Sequence, residues 1–85
     1  MTGIEIVAEE ETYRLITDGG DRFAVIEARA GHVYSLDPKH SQEAGDTPEG
    51  MAAVVGPRGW RSHADARRIF DHMVRGERHL AETLW

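Results

Sequence analysis

The sequence predicts an α+β domain in which a three- or four-stranded antiparallel β-meander packs against a long C-terminal amphipathic helix, with a short helix connecting the two. Three observations carry that expectation. β-leaning apolar runs separated by glycine turns occupy the first part, all three prolines fall in one central stretch, and the last part repeats apolar residues at helical spacing. The 85 residues divide accordingly into a meander over 1–37, a Pro/Gly-rich connection over 38–61 and an amphipathic helix over 62–85. The connection is too short to separate two cores, so the chain reads as a single domain.

The strands follow from alternation and turn chemistry. Ile4 and Ile6 alternate with Glu5 and suggest a fourth strand ahead of the meander. Thr12 to Thr17 and Arg22 to Ala30 form two longer runs around Asp18-Gly19-Gly20-Asp21, where paired glycines supply the positive φ angles of a tight hairpin. A second turn at Ala30-Gly31 leads into His32-Val33-Tyr34-Ser35-Leu36, and Pro38 then removes a ladder donor.

In the connection, Thr47 reads as an N-cap with Pro48 at the first helical position, where its missing N–H removes no hydrogen bond. Met51 to Val55 continue that short helix, and Gly56-Pro57 end it. The last helix starts at Ser62, with Asp65 three residues on as a variant of the capping box. On a helical wheel, Ala66, Ile69, Phe70, Met73, Val74, Leu80, Ala81 and Leu84 fall within roughly 140° of arc. Arg67, Arg68, Asp71, His72, Arg75, Arg78, His79 and Glu82 fill the other side.

Two conflicts shape the functional expectation. With two-residue loops at Gly19-Gly20 and Ala30-Gly31, one sheet face holds Leu15, Ala24, Ile26, Ala28 and Val33. The other holds Ile16, Phe23, Val25, Tyr34 and Leu36, so neither face is polar. A single amphipathic helix covers one of them, and the second needs the short helix, the loop carrying Trp60, or another chain. A register slip of one residue exchanges partners without making either face polar. The second conflict is length. A helix from His63 to Leu84 spans about 33 Å, whereas strands of this size reach about 20–27 Å. Either the helix breaks near Gly76, or it continues and Glu77, inside the apolar stripe, meets a partner. Both cases leave Leu80, Ala81, Leu84 and Trp85 as a greasy end that a short meander does not easily bury.

Composition narrows the function. Apolar residues at 40% and charged residues at 29% are ordinary for a globular domain and argue against disorder. No apolar run is long enough to span a bilayer, and the start Met1-Thr2-Gly3-Ile4-Glu5 lacks a secretory n-region. Without cysteine there is neither a thiolate metal site nor a disulfide. Ten basic against fifteen acidic residues leave a net −5, which opposes a general attraction to nucleic acid or anionic lipid. The imbalance is local: residues 1–57 carry a net −7 and residues 58–85 a net +2.

No catalytic constellation stands out. Five histidines, His32, His40, His63, His72 and His79, invite a metal reading, but no two stand at i, i+4, and His72 and His79 are about 10.5 Å apart along a helix axis. Ser62-His63 are adjacent, which does not set a nucleophile against its base. Glu9-Glu10-Glu11 reads as a solvated connection between strands. Arg58, Arg61, Arg68 and Arg75 are the residues through which an anion or nucleic acid would be held, although i, i+4 pairs such as Arg67 with Asp71 absorb part of that positive potential.

The resulting expectation is a small cytoplasmic accessory or protein-interaction module, a homodimer, with no cofactor, no metal, no membrane partner and no enzymatic activity. Its contact surface is expected at Phe23, Val25, Tyr34, Leu36, Leu80, Leu84 and Trp85. The alternative is a regulatory nucleic-acid binder using the arginine-bearing helix.

Overall fold

The computed structural model describes residues 3–37 and 42–84. Five strands form, β1 (Glu5–Glu10), β2 (Tyr13–Thr17), β3 (Phe23–Arg29), β4 (His32–Ser35) and β5 (Glu43–Gly45). They lie in sequence order in one antiparallel sheet. The class is α+β, with two more strands than a minimal meander. The additional strand expected around Ile4 and Ile6 forms as β1, which includes Ile6 but starts at Glu5 and runs on to Glu10. The fifth, β5, has a sequence with little β propensity, Glu-Ala-Gly. It forms because β4 otherwise ends the sheet: Val33 pairs with Ala44, and the Ser35 amide donates to the Gln42 carbonyl at 2.9 Å.

The Ala30-Gly31 turn joins β3 to β4 with Arg29 opposite His32. Ala30 at φ 54° and Gly31 at φ 81° give the two positive φ values of a type I′ hairpin. The Gly19-Gly20 turn differs from expectation. Thr17 pairs with Phe23, so the loop runs over five residues, Asp18 to Arg22, rather than two. Side chains set that length. Asp18 accepts from the Gly20 amide at 2.9 Å and from Arg22 Nε at 2.6 Å, while Thr17 Oγ1 donates to the Arg22 carbonyl at 2.9 Å. The longer loop shifts the register by one residue and exchanges the faces of Leu15 and Ile16. Leu15 lies with Val25 and Leu36, and Ile16 with Ala24, Ile26 and Val33.

Both faces are closed from within the chain. Helix α1 (Pro48–Val55) begins as the sequence indicates, with Thr47 Oγ1 accepting from the Gly50 amide at 2.9 Å. It seats Met51, Val54 and Val55 on Ile16, Ala24, Ile26 and Val33. Helix α2 (His63–Val74) is capped by Ser62 and seats Ala66, Ile69, Phe70 and Met73 on Leu15, Val25 and Leu36. The sheet is the middle of three layers, with α1 and α2 on its opposite faces. Gly50 lets α1 descend onto β5, because a Cβ there would overlap the Gly45 carbonyl oxygen. The loop into α2 is pinned by reciprocal backbone hydrogen bonds between Phe23 and Arg61 at 2.8 and 2.7 Å.

The single long C-terminal helix is also corrected. α2 stops after twelve residues, about 18 Å, in a Schellman motif. Gly76, at φ 76°, donates to the Met73 carbonyl and Glu77 to the His72 carbonyl. A short helix α3 (Arg78–Ala81) and a 3₁₀ turn (Glu82–Leu84) fold back, burying Ala81 and packing Leu84 against the α2 layer. Glu77 finds its partners where the helix ends: its Oε1 accepts from His72 Nδ1 and Arg75 Nε, each at 3.0 Å. Those two donors, His72 first, hold the Glu77 carboxyl below its ordinary range. The break shortens the helix, Ala81 is buried, and Leu80 beyond it remains 40% exposed.

Candidate interaction surface

The helices cover the sheet unevenly. α1 packs on β3, β4 and β5, α2 packs on β2 and β3, and β1 rests mainly on β2. On the α1 side, the helix reaches Ile16 of β2, and the corner beside β1, which α1 does not pack on to a comparable extent, is the less covered part of the sheet. An open groove of about 590 Å³ occupies that corner, lined by Gly3, Ile4, Asp18, Arg22, Pro48, Glu49, Ala52 and Trp60. Its size is within the range of small-ligand and peptide sites. A cavity between α1 and β3 holds about 10 Å³, room for about one water molecule.

Each wall of the groove has a local cause. Trp60 leaves the Pro57-Arg58-Gly59 turn and packs against the α1 layer, and the Arg22 guanidinium lies 5.1 Å from its ring centroid, within cation–π range. Arg22 is held there by Asp18. The Gly20 amide, and after it Arg22, keep the Asp18 carboxyl below the usual carboxylate range. Outside the groove lining, Arg14 ties three elements together. Its Nε meets Glu9 of β1 at 2.7 Å, and its two terminal nitrogens meet Asp46, just before α1, at 2.7 and 3.1 Å. Only 13% of the Arg14 side chain is exposed. The Asp46 hydrogen bond comes first in holding Arg14 more firmly protonated than a free arginine, and Arg14 in turn lowers the Asp46 carboxyl.

β1 continues the groove outward. Ile6 pairs with Ile16 and so shares the α1 side with Ile4, while the register shifts between Ile6 and Ala8, leaving Val7 as a bulge. Ile6 is 44% and Val7 46% exposed, and with Leu80 at 40% they are the exposed large hydrophobic residues among those described. Acids frame them. Glu9 is engaged by Arg14, whereas Glu5, Glu10 and Glu11 have no ion-pair partner among the described residues.

The residues singled out from sequence are distributed differently. Val25 and Leu36 are buried under α2, and Phe23 is half-buried beside His63 at a ring separation of 4.6 Å. Tyr34 is half-buried under the Arg29 guanidinium at 4.4 Å. Val25 and Leu36 are thus enclosed, while Phe23 and Tyr34 are half-buried on the same face of the sheet. Leu80 is exposed and Leu84 half-buried, while Trp85, like Pro38 and His40, lies outside the described residues. Among the arginines, Arg61 donates to the carbonyls of Arg58 and Trp60, and Arg75 pairs with Glu77. Arg58 and Arg68 carry no ion pair among the described residues. Among the described residues no group of three or more His, Asp and Glu is placed to hold a metal ion. No helix among them is long and apolar enough to cross a membrane.

Sequence reasoning placed Ile6 in a strand but missed that this strand would be an edge, and it took Trp60 only as cover for the sheet. The available signal was the apolar trio Ile6-Val7-Ala8 set between Glu5 and Glu9-Glu10-Glu11. No protein-family model, curated protein or solved structure matches the chain.

Proposed function

We propose that this chain is a protein-interaction module, an accessory subunit acting in the cytoplasm, that docks a partner polypeptide on the groove beside Trp60 and along β1. The observation that carries this reading is the concentration of accessible apolar surface in one place. Ile6 and Val7 are exposed next to a groove whose lining includes Ile4, Pro48, Ala52 and Trp60, while both sheet faces are otherwise closed by the chain's own helices. Apolar side chains held on a strand edge beside a preformed cleft favour a binding role. The test is affinity capture from the cells that make the protein, with isotope-labelled quantification. Ile6→Ser with Val7→Ser is expected to lose the partners held by the unmodified chain, and Arg75→Glu, on α2, to keep them. Equal capture by the Ile6/Val7 double variant, or loss with Arg75→Glu, overturns the proposal.

A further inference from the structure

The sheet has two edges of unequal use. β5 offers three residues, whereas β1 offers six, about 20 Å of strand. The side of β1 away from β2 presents backbone donors and acceptors that no other strand of this sheet takes up, the arrangement that accepts an added strand. Side chains of such a strand alternate in direction. Those on the α1 side would pass Ile6 and approach the groove at Ile4 and Trp60, and those on the other side would pass Ala8.

Charge selects the occupant. Glu5 and Glu10 on this strand and Glu11 in the turn after it have no ion-pair partners among the described residues, and Glu49 stands on the groove's wall. A second copy is a poor fit. With two β1 strands fully overlapped and antiparallel, Glu5 faces Glu10 twice, and a shift of one residue sets Glu5 against Glu9. Like charges directly opposite destabilise a strand pair, and each copy brings a further net −5. The Val7 bulge twists the edge and interrupts flat stacking of identical strands. A strand with cationic ends and an apolar centre instead places Lys or Arg beside Glu5 and Glu10 and small apolar groups beside Ile6 and Ala8. The acidic rim also speeds encounter with such a segment.

Resting on the interaction-module reading above, we propose that β1 takes an added strand from a partner protein, an extended segment with alternating apolar side chains flanked by Lys or Arg. The experiment is an NMR titration of the ¹⁵N-labelled full chain, reading the amides of residues 5–10 and the Trp60 indole N–H. The probes are the peptide Lys-Arg-Val-Thr-Val-Thr-Val-Arg-Lys, its counterpart with Glu at every basic position, and a basic control with Ser at every Val. The first is expected to shift the β1 amides and Trp60 together, and the other two to bind at least about tenfold more weakly. Glu5→Lys with Glu10→Lys, both at exposed positions, is expected to transfer the preference to the acidic peptide.

If the acidic peptide binds the unmodified chain as well as the basic one, the cationic chemistry is wrong although docking beside Trp60 stands. If no peptide moves a β1 amide at about 1 mM, strand addition is overturned, and the capture experiment then decides the broader reading by itself. If the β1 amides shift on simple dilution of the protein, a second copy is the occupant and the proposal fails.

Discussion

Val54→Ala probes whether α1 alone seals the second sheet face. Val54 is fully buried, at 0% exposure, in the layer it forms with Ile16, Ala24, Ile26 and Val33. The substitution removes two methyl groups from that layer, a transfer loss of about 1.6 kcal/mol at roughly 0.8 kcal/mol per group. Incomplete collapse around the void adds up to about 1 kcal/mol, and the better helix propensity of Ala returns about 0.5 kcal/mol. The net loss is about 1–2 kcal/mol, and for a domain of this size that lowers Tm by about 4–16 °C. Urea unfolding followed by tryptophan fluorescence, at two protein concentrations a hundredfold apart, measures it. A loss below about 0.5 kcal/mol, within the range of an ordinary surface change, would refute the packing of α1 described here. So would a wild-type midpoint that rises with protein concentration, because closure of the face would then involve association.

Three further expectations follow from local geometry. Gly50→Ala forces α1 away from the Gly45 carbonyl and should destabilise by about 2–3 kcal/mol, read as a lower urea midpoint; an unchanged midpoint would contradict the close approach of α1 to β5. Ala30→Asn should stabilise by about 0.5 kcal/mol, because it supplies the Asn-Gly pair that a type I′ turn favours in place of an alanine at φ 54°; a lower Tm would contradict that turn geometry. Acid stability depends on Asp18, Asp46 and Glu77, whose carboxyls are held low chiefly by the Gly20 amide, Arg14 and His72 respectively. Since the folded chain binds these protons less readily than the unfolded one, their contribution is full above the ordinary carboxylate range near pH ~4 and is lost as pH falls through their lowered values. The urea midpoint should be flat from about pH 7 to 5 and fall below about pH 4, and a midpoint that rose on acidification would contradict the pairing.

The legible parts of the fold are those encoded within a few neighbouring residues. Thr47-Pro48 and Ser62 start helices where the structure starts them, because a cap needs only its own turn. The two apolar sheet faces were also readable, since alternation survives a register slip. The register itself was not, because the length of the Asp18 to Arg22 loop is decided by which carbonyls and amides Thr17 and Asp18 reach. β5 was hidden in Glu43-Ala44-Gly45, which becomes a strand only through the open edge of β4. At Gly76 the sequence allowed a helix interior or a helix end, and Glu77 inside the apolar stripe was the hint that resolved it, since its partners His72 and Arg75 lie across the break.

The site was less legible for a related reason. Two greasy faces and one long helix imply an external cover only if the short helix is too small to serve, and Met51, Val54 and Val55 are sufficient over β3, β4 and β5. The surface left over is at the far side of the sheet, at Ile6 and Val7, where exposure follows from strand order. Strand order is a property of the whole chain and not of any segment of it.

Photo-cross-linking in living cells addresses the docking edge most directly. A photoreactive phenylalanine analogue placed at Val7, on the exposed bulge of β1, is compared with the same group at Arg68, on the solvent side of α2. The docking of a partner along β1 predicts a discrete cross-linked species from position 7 that carries a second, different polypeptide, and none from position 68. Cross-links arising only from position 68, or from position 7 only to another copy of the same chain, would contradict it.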